Sequence, residues 1–498
     1  MSEDKESTIR VGRAPERSFS LLSCLGLAFT TLNSWCAVAA SFPLVLPSGG
    51  SVSMVWGLVV STIGTMAMAI SLAEICHAFP TSGGQYDWAY MLAPPALSRP
   101  LSFLTAWNVT AGWVALGATA ATVGARFILG IVALWNGSAP RAWQVFLITL
   151  AFVLHAAVLN IFGARLLPLI NRVSGVWSIL GIMVIVVTVL ACSSGEYQPA
   201  DEVFARWTNE TGWPDGMAFI LGLLQSTFGL TAFDSVAFMV DHMPRPAINA
   251  PKTMVIAVLL GAVTSWVYLI ALLFCIKDLR AVMSSPTGPL LQMYFQATGS
   301  KAGSTILMIF NLGAMLFASQ GLITVSSRLV LRFARDRGLG ALSSPLSTIR
   351  PALNVPLFAI LAVTTAVLAI AAINLGSSIA LNAVLSATVV LLQVSYTVPI
   401  ALLFMRGGSV LGDTERRWAL GRWRRIVNGG ALVFLLVTTV TFLFPPKVPV
   451  RGGDSMNWVV VVAGVVWLAC GITWAVDGRR RFHGPSELAD RLAAAKAA

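Results

Sequence analysis

Asp234 lies inside the apolar run 217–239, beside the small-residue stretch Thr227, Phe228 and Gly229. A carboxylate at bilayer depth costs roughly 2.5 to 3.5 kcal/mol on insertion scales, so an intramembrane acid marks a solute or ion pathway by default. Two chemistries are open to it: attraction of an ammonium group at low dielectric, or proton uptake that links solute movement to a proton gradient. The alternative is structural, a carboxylate satisfied by polar groups on neighbouring helices. The run from Gln225 to Thr231 (QSTFGLT) interrupts this apolar segment, and the run from Thr30 to Trp35 (TTLNSW) interrupts the first one. A broken helix frees backbone groups: N-termini of half-helices suit a carboxylate, exposed carbonyls suit an ammonium. The predicted solute-lining residues are therefore Asn33, Ser34, Trp35, Phe228, Gly229, Thr231, Phe233 and Asp234. The competing reading is that these residues pack helices together through small and polar contacts. If the solute is a quaternary or polyvalent amine, Trp35, Phe228 and Phe233 supply a cation-π cage around Asp234. Asn108 and Trp113 are a further candidate wall, with interfacial anchoring as the alternative for the tryptophan.

The elements that hold these residues are membrane spans. With 56% hydrophobic residues, 11% charged residues and a mean hydropathy of +0.79, a polar surface cannot cover the chain. Apolar runs long enough to cross a ~30 Å hydrocarbon core occur twelve times: 21–46, 54–78, 101–133, 143–162, 166–191, 217–239, 254–275, 305–331, 355–373, 378–404, 427–444 and 458–474. Without water to satisfy lipid-exposed backbone, such runs must be helices. Breaks at corresponding positions in spans one and six point to an inverted repeat with a midplane site.

Basic residues set the orientation, since Lys and Arg accumulate on the cytosolic side. With the N-terminus inside, 25 of the 33 lysines and arginines fall on one face, the basic face. The sequons at Asn136 and Asn209 then fall on the opposite face, as glycosylation requires. The net charge of +12 resides in clusters flanking the membrane, such as Arg416-Arg417 and Arg479-Arg480-Arg481. Anionic lipid is their expected partner, not nucleic acid. The six cysteines lie mostly in apolar runs without a CxxC pair and read as small buried hydrophobes.

An enzyme is disfavoured. The four histidines, His77, His155, His242 and His483, are scattered, and the chain has no HExxH, GxSxG or P-loop sequence. No cofactor or metal is called for. Arg126, His155 and Gln393 are isolated polar residues within spans, expected to bond between helices.

The stretch from Ala73 to Ala89 (AEICHAFPTSGGQYDWA) resembles the signature that follows the second span in amino acid-polyamine-organocation permeases. The chain is similar in particular to the fungal amino acid/choline permeases, over residues 19 to 474. Phe162 to Pro168 (FGARLLP) resembles that family's entry into span five. Phe233-Asp234-Ser235-Val236, with Asp241 and Pro246, resembles its span-six motif. Ser327-Arg328 and Phe333 to Asp336 (FARD) resemble its span-eight ending.

The resemblance implies an all-α, LeuT-like fold of twelve transmembrane helices: a five-plus-five inverted repeat with broken helices one and six, plus helices eleven and twelve. It divides the chain into a cytosolic tail at 1–18, a permease domain at 19–476 and a cytosolic tail at 477–498. Repeat one covers about 19–192, repeat two about 214–405 and the extra helices about 427–476.

It further implies secondary transport of an amino acid or related amine such as GABA by alternating access, coupled to protons, in the plasma or vacuolar membrane. A choline or polyamine carrier is the alternative, and a nutrient sensor a second, disfavoured by the short tails. Glu74, Asp87 and Arg328 are the implied gate residues, with Arg328 or Arg335 as partners for the two acids. Ser178 stands where some proton-coupled relatives carry a lysine, and the family's glycine-rich break in span one reads Asn33-Ser34-Trp35-Cys36 here.

Overall fold

The computed structural model describes residues 20–376, 380–412, 418–452, 456–486, 488 and 492. The N-terminal tail, the Arg416-Arg417 pair and nearly all of the stretch after 486 lie outside the described residues. Among the described residues, eleven helices are long and apolar enough to cross a membrane: Leu22–Ala40, Gly50–Ala78, Pro95–Asn136, Ala142–Phe162, Ala164–Cys192, Asp215–His242, Pro246–Cys275, Lys301–Arg335, Leu381–Arg406, Gly421–Thr441 and Val459–Arg481. The ninth of the twelve expected spans is the shorter helix Leu357–Ala372, extended by the 3-10 turn Ile373–Leu375.

Burial sorts these spans into layers. The apolar window of span one is 89% buried and that of span three 78%, against 28% in span five and 17% in span twelve. Spans one and three are thus central, while five and twelve face lipid, where apolar side chains need no protein partner.

Both predicted breaks are real. Span one runs as a helix over Leu21–Leu32, stops at Asn33 in the left-handed conformation (φ 41°, ψ 40°) and resumes over Ser34–Ala40. Asparagine is one of the few residues that visits this region routinely. Span six runs over Asp215–Gly229 and resumes as the 3-10 helix Phe233–His242 after Ala232, at φ 82°. A Cβ in that conformation costs roughly 1–2 kcal/mol, so packing, not propensity, imposes this bend.

The basic face carries the turn after span two and the short helix Gln85–Leu92, which leads into span three. The opposite face carries the helices Leu279–Ser284 and Pro289–Thr298.

Candidate functional site

The break in span one buries polar atoms among the central helices. Asn33, Ser34 and Trp35 are 3%, 0% and 0% exposed. Asn33 Oδ1, Ser34 Oγ and Trp35 Nε1 have no hydrogen-bond partner among the described residues, and neither have Gln225 Oε1 in span six and Ser319 Oγ in span eight. The amide of Asn33 donates only to the sulfur of Met315, 3.7 Å away, and Ser319 lies one turn beyond Met315 on the same helix. Gln225 uses its other atom to donate to the Val38 carbonyl at 2.7 Å. Each orphaned buried polar atom costs about 1–3 kcal/mol, so this arrangement suits a polar guest. Ser34 and Trp35 open the second half-helix, where backbone N–H groups lack intrahelical acceptors.

Asp234 is placed differently. It is completely buried, and Oδ2 accepts from Gln85 Nε2 at 2.6 Å and Trp113 Nε1 at 3.3 Å, while Oδ1 accepts from the Tyr396 hydroxyl at 2.8 Å. Gln85 comes from the short helix on the basic face, Trp113 from span three and Tyr396 from span ten. The acid thus ties the second half of span six to three other elements through neutral donors. Among the described residues no cation forms an ion pair with it. Thr31 reinforces the join between the two broken spans by donating to Ser235 Oγ at 3.1 Å.

The other predicted lining residues divide between the two halves. Phe233 packs on the Tyr396 ring (centroids 5.2 Å apart), whereas Trp35 meets Tyr268 edge-on at 5.3 Å. These rings therefore belong to different walls rather than to one cage around Asp234. Phe228 is 6% exposed within the core. Thr231 donates to the Thr227 carbonyl at 2.7 Å, which satisfies the bend locally. Gly229 abuts the first break: a Cβ on it would lie 2.4 Å from Val38 Cγ1 and 3.5 Å from the Ser34 carbonyl oxygen.

Of the implied gate residues, Glu74 pairs with Arg424, not with Arg328 or Arg335. Arg424 Nη2 and Nε reach the two carboxylate oxygens at 2.7 and 2.9 Å, and Leu420 N donates at 2.8 Å. Asp87 accepts from Gly83 N at 3.1 Å across the signature turn. Arg328 donates to the Met239 sulfur at 2.8 Å. Arg332, one turn on, makes the ion pair, to Asp241 at 2.9 Å, and also donates to Ser82. Ser178 is buried on span five, whose contact with span one includes the Thr30–Ser174 hydroxyl bond of 2.6 Å. Gln393 bonds between helices as expected, to Thr438 and Thr439.

Of the two sequon asparagines, Asn136 is exposed. Asn209 is half-buried, and its amide donates to Trp213 and Asp215 at 2.8 Å each.

Sequence reasoning did not single out Tyr396 or Arg424, and it passed over Ala232. It also missed a neutral web on the opposite face. There the Tyr268 and Tyr294 hydroxyls hydrogen-bond, Tyr294 donates to Asn311 Oδ1 at 2.7 Å, and Asn311 Nδ2 donates to Cys36 Sγ at 3.4 Å. Tyr268 and Asn311, polar residues within apolar spans, were the available signal.

Twelve spans, two of them broken beside buried polar groups, fit a membrane carrier of small solutes, and the family of the chain is one of permeases, not of enzymes. The amino acid permease family model matches residues 19–466, and the chain belongs to that family. It is 34% identical to a choline transporter of Saccharomyces cerevisiae, covering 95% of this chain and 83% of the relative. It is 33% identical to a putative amino acid/polyamine transporter of Macrophomina phaseolina (87% and 96% covered) and 26% identical to an amino-acid permease of Arabidopsis thaliana (94% and 93%).

Proposed function

We propose that this permease carries an amino acid or related amine across the plasma membrane by alternating access, with its basic face in the cytosol and a proton as coupling ion. The two repeats, at about 19–192 and 214–405, rock about the midplane site between them. The observation that carries the reading is the set of orphaned polar atoms at the span-one break: Asn33 Oδ1, Ser34 Oγ and Trp35 Nε1. Buried acceptors and donors without protein partners match a small zwitterion, which brings both. Asp234 fits the coupling role because neutral donors hold it without a cation, leaving it the group in this centre that a proton can neutralise. Its protonation would weaken the bonds from Gln85, Trp113 and Tyr396 and so free the second half of span six.

A choline or polyamine carrier is the second reading, favoured by the similarity to the yeast choline transporter and by the Trp35 ring beside the orphaned atoms. The test is radiolabelled uptake by purified protein in liposomes, offering GABA, several amino acids, choline and putrescine, with and without an imposed pH gradient. Gradient-driven accumulation of one amino acid or GABA, lost in Asp234→Asn, is the expected result. Accumulation of choline alone, or uptake indifferent to pH, would overturn the first reading.

A further inference from the structure

The segment that follows span twelve does not leave the molecule at once. Span twelve passes through a π-helical turn, Trp474–Gly478, and ends with the turn Arg479–Arg481, after which the chain folds back beneath the basic face. Phe482 is 0% exposed: its ring stands edge-on to Phe103 of span three at 5.4 Å and to Phe333 of span eight at 6.1 Å. Arg99, near the start of span three, donates to the carbonyls of Phe482 and Arg479 at 2.8 Å each. Gly484 adopts φ +97°, and a Cβ there would lie 2.2 Å from the Tyr90 ring, so only glycine lets the chain pass so close to the short helix. Ser486 then donates from both its backbone N and its hydroxyl to Asp336 Oδ1, at 2.8 and 2.7 Å.

The far oxygen of the same carboxylate accepts from the Tyr86 hydroxyl at 2.8 Å. Tyr86 is the neighbour of Gln85, the residue that donates to Asp234. A continuous set of contacts therefore runs from Ser486 through Asp336 and Tyr86–Gln85 to the broken half of span six. Its members come from the chain end, the segment after span eight, the short helix and span six. On the alternating-access reading, opening the basic face parts the short helix from the second half of span six, which Gln85 and Asp234 join.

We infer that residues 479–486 form a strap that restrains this opening, so that release of the strap raises the population of the state open on the basic face. Bonds to a charged carboxylate are about twice as strong as neutral ones, and Asp336 shares one between strap and gate. A negative charge at 486 would delete the hydroxyl donation and set a second carboxylate against Asp336, opposing the donation from the backbone N–H. A side chain at 484 would push the strap off Tyr90 without touching charge. The two perturbations are independent: Gly484 is buried against Tyr90, whereas Ser486 is exposed.

The inference rests on the alternating-access reading, yet its test needs no solute, so the two can fail separately. Hydrogen–deuterium exchange would be followed in the full-length protein in lipid nanodiscs, comparing wild type with Ser486→Asp and Gly484→Ala. The expected result is severalfold faster exchange over 479–486, 85–92 and 233–242, with 268–294 on the opposite face unchanged. Faster exchange confined to 479–486 would reduce the strap to an anchor and overturn the inference. Unchanged exchange over 479–486 in both variants would also overturn it, because the named contacts would not be what holds the segment. General acceleration in one variant would mark misfolding and leave the decision to the other, whose perturbation is of a different kind. If carriage is also established, both variants are expected to raise the initial uptake rate.

Discussion

On the opposite face, the centre is closed by neutral groups: the Trp35 and Tyr268 rings, and the hydroxyl, amide and thiol contacts of Tyr268, Tyr294, Asn311 and Cys36. On the basic face, ionisable groups do the closing, through Asp234 with its three donors, Arg332 between Ser82 and Asp241, and Glu74 with Arg424. A neutral hydrogen bond contributes about 0.5–1.5 kcal/mol net, and one to a charged group about 1.5–3. The contrast assigns different duties to the two closures. The neutral one exchanges partners with water at small cost. The charged one holds firmly until a proton or another ion changes the balance.

The comparison can be broken most forcefully at Asp234. Asp234→Ala strands three donors at once, each bond being worth about 1.5–3 kcal/mol. It should lower uptake tenfold or more in liposomes and lower thermal stability; wild-type uptake would remove the acid from the mechanism. Next comes Glu74→Gln, which leaves the mostly buried Arg424 without its anion (side-chain exposures 17% and 1%). Cutting one partner of a buried pair costs about 3–5 kcal/mol, to be read as a lowered midpoint in thermal unfolding followed by tryptophan fluorescence. Glu74→Gln with Arg424→Gln should then cost less than the sum of the two. Simple additivity would mean that the pair does not act as a unit.

On the neutral side the effects should be smaller. Asn311→Ala removes bonds worth about 1 kcal/mol each, and a several-fold drop in uptake with a modest stability loss is expected. A loss as large as that of Glu74→Gln would erase the contrast between the faces. Smallest in stability is Ser34→Ala, which deletes an oxygen that has no protein partner. The fold should be as stable as wild type or slightly more so, while the KM for the solute rises about fivefold if Ser34 Oγ contributes a bond of about 1 kcal/mol. An unchanged KM would take Ser34 out of the solute site.

What the sequence disclosed and what it withheld follow from distance along the chain. Twelve apolar runs and the two breaks were legible because hydrophobic length and local polar interruption are properties of neighbouring residues. Asn33 was within the predicted break and is its left-handed residue. At span six the turn falls on Ala232, whose side chain gives no sign of that conformation. The partners of the acids were not legible. Gln85 and Tyr396 lie 149 and 162 residues from Asp234, and Arg424 lies 350 from Glu74, and no local pattern encodes such pairings. Gln85 was within the recognised signature, but its bond to span six depends on how the short helix folds back. Arg332 and Arg328 look alike as basic residues at the end of span eight; only the helix face decides that Arg332 meets Asp241.

Spans three and nine are neighbours: a Cβ on Gly117 would lie 3.4 Å from Val367 Cγ2. Yet one helix has 42 residues and the other 16. At 1.5 Å per residue these are about 63 and 24 Å long, either side of a hydrocarbon core of ~30 Å. Span three therefore projects beyond the core, while the 3-10 turn Ile373–Leu375, rising about 2 Å per residue, brings span nine to about 30 Å. Span nine has no length to spare, so transport is expected to be fastest in shorter-chain lipids and to slow as the membrane thickens, each ångström of mismatch costing a fraction of a kcal/mol.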